Sequence, residues 1–114
     1  MPLSVTVVIR DNPRKSHRAA EALRIALGLS TGPNPLTVIL LNDAPVLLTE
    51  DTDDLVDSEI LEKHLPVLKE LAIPFLVLTG THAKYRLDAE FRVRELPLKE
   101  LSAAIAHSDR VLVF

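Results

Sequence analysis

The sequence predicts an α/β protein, a three-layer α/β/α sandwich around a mostly parallel sheet of about five strands. Three observations lead there. Short apolar runs rich in β-branched residues alternate along the chain with stretches of helical periodicity. The first two runs, L-S-V-T-V-V-I and L-T-V-I-L-L, are nearly unbroken in apolarity, as in strands covered on both faces. The resulting order, β-α-β-α-β-(α)-β-α-β, calls for right-handed crossovers between parallel neighbours.

Residues 3–9 form the first expected strand, ended by Arg10 and Asp11. Asn12 then reads as a helix N-cap, with Pro13 at the first helical position, where a missing N–H costs nothing. Ala19, Ala22, Leu23, Ala26 and Leu27 follow at helical spacing. Gly28 and the run S-T-G-P-N-P stop that helix. Residues 36–41 are a second strand, broken by Asn42, Asp43 and Pro45, and Val46-Leu47-Leu48 is a short helical turn or loop covering the sheet. A helix is expected from about Ser58 to Leu71 with Ile60, Leu61, Leu65, Leu68 and Leu71 inward, kinked or split at Pro66. Residues 74–79 are a third strand and residues 81–87 a short helix or turn. Residues 91–95 alternate apolar and charged, as in a strand with one wet face. Pro97 opens a last helix over Leu98, Leu101, Ala104 and Ile105, and residues 111–114 close the chain as a strand.

With 114 residues, 47% of them hydrophobic and 25% charged, the chain suits a single domain spanning residues 1–114 with one real core. A net charge of -3 with acids and bases scattered argues against nucleic-acid binding, which needs a basic face. Phe75, Tyr85, Phe91 and Phe114 are too few for a stacking platform. Zero cysteines exclude disulfides, thiolate nucleophiles and cysteine metal sites. Without a signal-peptide pattern or an apolar run of about 20 residues, the expectation is a cytoplasmic protein that does not engage a membrane.

In open α/β sheets ligands bind beyond the carboxyl ends of the strands. Three segments belong there: residues 10–17, 42–45 and 79–85. The first crowds Arg10, Arg14, Lys15, His17 and Arg18 onto a helix start, where cations oppose the dipole. Either a phosphate, carboxylate or acidic partner sits there, or the charges project into solvent. Neither phosphate-binding glycine pattern occurs. The acidic run Glu50, Asp51, Asp53, Asp54, Asp57 and Glu59 reads as a solvated loop, because a calcium loop counted from Asp51 would put Val56 where glycine is required. His17, His64, His82 and His107 share no ligand spacing, and no G-x-S-x-G occurs. Nothing calls for a cofactor or a metal.

Four stretches resemble the DsrE/DsrF-like sulfur-relay proteins. They are D-N-P-R-K-S-H-R-A-A-E-A-L-R-I-A-L-G-L after the first strand, V-I-L-L-N-D-A-P-V-L-L at the second, T-G-T-H-A-K-Y-R-L after the third, and the final S-D-R-V-L-V-F. The resemblance covers nearly the whole chain. It implies an α/β/α fold, assembly into oligomers, and a site after the third strand where members carry a persulfide on a cysteine. That cysteine stands seven residues before an arginine-glycine pair. Counting back from Arg86 places Thr79 there, with His82 where some members have a second cysteine and Leu87 in place of the glycine. A thiol ionises near pH 8.5 at about its free pKa, whereas a threonine hydroxyl is a far weaker acid and carries no sulfane sulfur. Thr79 is therefore read as a strand-end hydroxyl that caps the next helix.

Three functional readings follow. The first is a non-catalytic interaction or scaffolding subunit related to sulfur-relay proteins, a homo-oligomer or a partner of other DsrE/DsrF-like subunits, with an apolar face left bare on the monomer. The second is a small-molecule or anion-binding domain, its site drawn from Asp11, Asn12, Arg14, Lys15, Asp43, Thr79, Thr81, His82, Tyr85 and Arg86. The third is an enzyme with His82 or Asp43 as general base, which would need an enclosing pocket and a carboxylate within about 3.2 Å of His82.

Overall fold

The structure is a computed structural model that describes residues 3–50 and 52–114. Five strands, β1 (Val5–Ile9), β2 (Leu36–Leu40), β3 (Phe75–Leu78), β4 (Val93–Leu96) and β5 (Arg110–Val113), form one sheet in the order β4-β3-β2-β1-β5. Every pairing is parallel. The chain steps outward from β1 to β4, then crosses back to lay β5 beside β1.

Successive residues of a strand point to opposite faces, so the register sorts the core. Val7 of β1 lies beside Val38 of β2, and both are fully buried in a large cluster with Ala22, Leu23 and Ala26 of α1 (Arg18–Ser30) and Leu61, Leu65 and Leu68 of α2 (Ser58–Glu70). The 3-10 turn Ala44–Leu48 is buried throughout and caps the same cluster. Val8 and Ile39, one position along, face the other way and meet Leu101 of α4 (Leu98–Ala106). Helices thus cover both faces, which is why β1 and β2 are apolar without alternation. A fourth helix, α3 (Thr81–Lys84), is one turn at the end of β3. Among the described residues no helix is long and apolar enough to cross a membrane.

The cover is unequal. α1 and α2 pack side by side on one face, while α4, alone on the other, lies mainly against β3 and β4. β5 keeps all four of its residues exposed.

Several expectations are corrected. α1 starts at Arg18, not at Pro13. The Asn12 side chain accepts the Arg14 N–H at 2.9 Å and its carbonyl accepts those of Lys15 and Ser16, so Asn12 closes a separate turn before the helix. α2 runs unbroken through Pro66. Pro66 and Glu62 both lie on the exposed flank, so the lost bond falls on the solvent side of the helix while Leu61, Leu65 and Leu68 hold the opposite flank to the sheet. Ile60 and Leu71 turn outward instead of inward, as does Leu98, which is 66% exposed. The fourth strand begins at Val93 rather than at residue 91, because Phe91 turns into the core and meets Phe75 edge to face at 5.7 Å. The fifth occupies Arg110–Val113, one residue earlier than expected. Glu50 and Asp53 lie exposed, whereas Asp51 of the same acidic run lies outside the described residues.

Candidate functional site

The ends of β1, β2 and β3 lie together because the three strands are adjacent and parallel. Each is followed by one of the segments in question: the turn at residues 11–15, the 3-10 turn, and α3 with its exit. The turn at β1 is held from within. Asp11 accepts the Ser16 hydroxyl at 3.2 Å and lies 3.6 Å from the Arg18 guanidinium, so it is occupied as a local brace. Arg14 leaves that turn toward Asp54, 3.2 Å away. Lys15 is exposed and makes no ion pair among the described residues.

A cleft of about 310 Å³ opens between these segments, lined by Arg14, Val46, Thr49, Glu50, Lys84, Tyr85 and Arg86. The Tyr85 hydroxyl donates to Asp43 at 2.8 Å, tying the exit of α3 to the end of β2. Burial first, then the bond to the Asp43 carboxylate, pushes the Tyr85 phenol above its ordinary range. It stays protonated at neutral pH and its one donor is used on Asp43. Arg14 acts on Tyr85 in the opposite sense, which places its charge near the ring.

The second grouping lies at the end of β3. Thr79 is exposed and donates its N–H to the Leu96 carbonyl at 3.0 Å, continuing the ladder to β4. Gly80 takes a left-handed conformation (φ 97°), which turns the chain abruptly into α3. Thr81 is buried and its hydroxyl donates back to the Leu78 carbonyl at the strand end, while Gly80 stands at the N-cap of α3, so the capping contact expected of Thr79 is not made. Glu95 reaches over from β4. Its carboxylate accepts the N–H groups of His82 (2.7 Å) and Gly80 (3.2 Å), and Oε2 lies 2.6 Å from Nδ1 of His82. These bonds, the backbone one from His82 first, hold the Glu95 carboxyl below the usual glutamate range.

Of the ten residues singled out from sequence, Arg14, Tyr85 and Arg86 line the cleft and Asp43 supports it. Asp11 and Asn12 shape the turn that carries Arg14. Lys15, Thr79, Thr81 and His82 are not in the lining. Sequence reasoning missed Lys84 and Glu50 in the lining, and Glu95. Lys84 sat inside the third marked segment, but only the fold showed that it joins Arg86. Glu95 carried no signal, since pairing β4 with β3 is what brings it to His82. The carboxylate required beside His82 is therefore present. The enclosing pocket is not, because the His82 side chain is 54% exposed. Among the described residues no three His, Asp or Glu side chains are grouped to hold a metal ion.

The architecture can be placed among known structures. The fold is similar to that of the ychN protein from E. coli. The two chains superpose with a TM-score of 0.78 over 100% of each, at 21% sequence identity. Identity that low carries the fold alone, and it is the α/β/α fold the family resemblance implied. No family model matches the chain, and no curated protein does.

Proposed function

We propose that this chain is an interaction subunit related to the DsrE/DsrF-like sulfur-relay proteins, one that assembles with copies of itself or with similar subunits and holds no persulfide of its own. The observation that carries the reading is β5. This edge strand pairs with β1 on one side and is unpaired on the other among the described residues. Val111, Leu112 and Val113 are 37%, 39% and 46% exposed, and exposed Leu3 precedes β1, the strand it pairs with. It carries no proline or lysine, and its apolar side chains point to both faces of the sheet. Proteins that leave such an edge bare invite pairing with another chain, and they usually charge or cover it.

The chemistry at β3 agrees with that role. The chain has no cysteine, and the position aligned with the family thiol is Thr79, whose backbone serves the β3–β4 ladder. An alcohol there neither ionises near neutral pH nor stores sulfane sulfur. Sulfur passing through an assembly of this kind would have to ride on a partner's cysteine.

Light scattering at micromolar concentration tests the reading. The expected mass is a multiple of 12.6 kDa. Replacing Val111 and Val113 together by lysine should return the protein to one subunit with its circular dichroism unchanged. A strict monomer for the unaltered chain overturns the assembly, and sulfane sulfur accepted and passed on by the purified chain overturns the passive role.

A further inference from the structure

We infer that the cleft at the ends of β1, β2 and β3 is a binding site for a small phosphate-bearing molecule, with Lys84 and Arg86 as its principal anion contacts. The inference stands apart from the assembly argued above and uses a different surface.

Three cations from two distant parts of the chain converge on this cleft, Arg14 from the turn after β1, and Lys84 and Arg86 from the segment after β3. Such groups repel one another unless something negative lies between them. The acids present do this incompletely. Arg14 is paired with Asp54 at 3.2 Å, while among the described residues Lys84 has only Asp43 at 3.9 Å, the outer limit of an ion pair. Arg86 makes no ion pair among the described residues. Asp43 is already engaged by the Tyr85 hydroxyl. Among the described residues Glu50 is the one carboxylate of the lining, against three cations.

The place and size fit the same ligand. The cleft lies beyond the carboxyl ends of parallel strands, where α/β sheets hold their ligands. A volume of about 310 Å³ takes a phosphate group with a compact organic body. Arg86 offers the planar fork that bonds phosphate oxygens in pairs, and Lys84 adds a mobile point charge. The Tyr85 ring gives the organic part an apolar surface, since Val46, though in the lining, is almost fully buried. The Tyr85–Asp43 bond fixes Tyr85 between Lys84 and Arg86, so the two cations are held on a braced segment rather than on a free loop.

Titration calorimetry with inorganic phosphate, and separately with acetate, at constant ionic strength tests this. Saturable phosphate binding is expected, tighter than for acetate. Arg86→Gln and Lys84→Gln should each weaken it at least about fivefold, which is about 1 kcal/mol. Both side chains are exposed, so the variants should keep the unaltered circular dichroism. Lys15→Gln removes a nearby exposed cation outside the lining and should leave binding unchanged. Binding that falls equally with Lys15→Gln would mean diffuse attraction and overturn the site. So would indifference to Arg86→Gln and Lys84→Gln, or no saturation below about 10 mM phosphate.

Discussion

A single oxygen, Oε2 of Glu95, meets both the backbone N–H of His82 at 2.7 Å and its Nδ1 at 2.6 Å. An ionised carboxylate only accepts, so Nδ1 must carry the proton and Nε2 is left facing outward. The β3–β4 pairing thereby orients an exposed imidazole with a carboxylate behind it. Nitrogen NMR of the imidazole should show the Nδ1–H tautomer in the neutral ring, and Glu95→Gln should erode that preference. Finding the Nε2–H tautomer in the unaltered protein would contradict the geometry.

The same residue sets part of the acid response. The Glu95 carboxyl titrates lower in the fold than in the unfolded chain. A lowered carboxyl contributes stability above its unfolded pKa and loses it as pH falls through the folded value. Below the ordinary glutamate range the unaltered protein should therefore lose stability more steeply with falling pH than Glu95→Gln. Parallel acid limbs in thermal melts would remove Glu95 from the account.

A second ion pair is better shielded. The Lys69 ammonium lies 2.6 Å from Asp88, with side chains only 26% and 19% exposed, and 4.8 Å over the Phe91 ring. It pins the segment before β4 onto α2. Its bond to Asp88 raises the Lys69 pKa, and the bond from Lys69, then the Glu90 N–H, lowers that of Asp88. The Asp88 contribution is present above the unfolded carboxylate pKa and lost in acid, and the Lys69 contribution is lost as pH climbs through its raised value. Asp88→Asn should cost about 1–2 kcal/mol at neutral pH, and a double-mutant cycle with Lys69→Met should show coupling. Additive single changes would show that the two side chains merely lie close together.

The end of α2 holds stored strain. Ala72 takes φ 53°, and the bonds from Ile73 to Leu68 and from Ala72 to Lys69 close a Schellman turn. That left-handed position costs an L-residue roughly 1–2 kcal/mol, part of which glycine gives back through its freer unfolded chain. Ala72→Gly should raise stability by about 0.5–1 kcal/mol in urea unfolding. A loss of stability would mean the methyl group packs better than its exposure indicates.

The cleft and the dyad show how far the sequence reaches. Arg14, Tyr85 and Arg86 could be picked out because each follows an apolar run that ends a strand, and strand ends in parallel sheets carry ligands. Nothing local could pair Tyr85 with Asp43, 42 positions away, or Glu95 with His82. Pro66 misled for a related reason. A proline reads as a break, but the flank on which its missing hydrogen bond falls depends on how α2 is rotated against the sheet.

What the residues determined by themselves was the alternation of strands and helices, the two-sided burial of β1 and β2, and the lack of any thiol. Those follow from side-chain periodicity and composition, which are properties of short windows. The strand order, the bare flank at β5, the convergence of Lys84 and Arg86 on Arg14, and the partner of His82 were decided only in three dimensions. Each depends on which strands become neighbours, and that is fixed by the competition of all apolar faces for one core rather than by any segment alone.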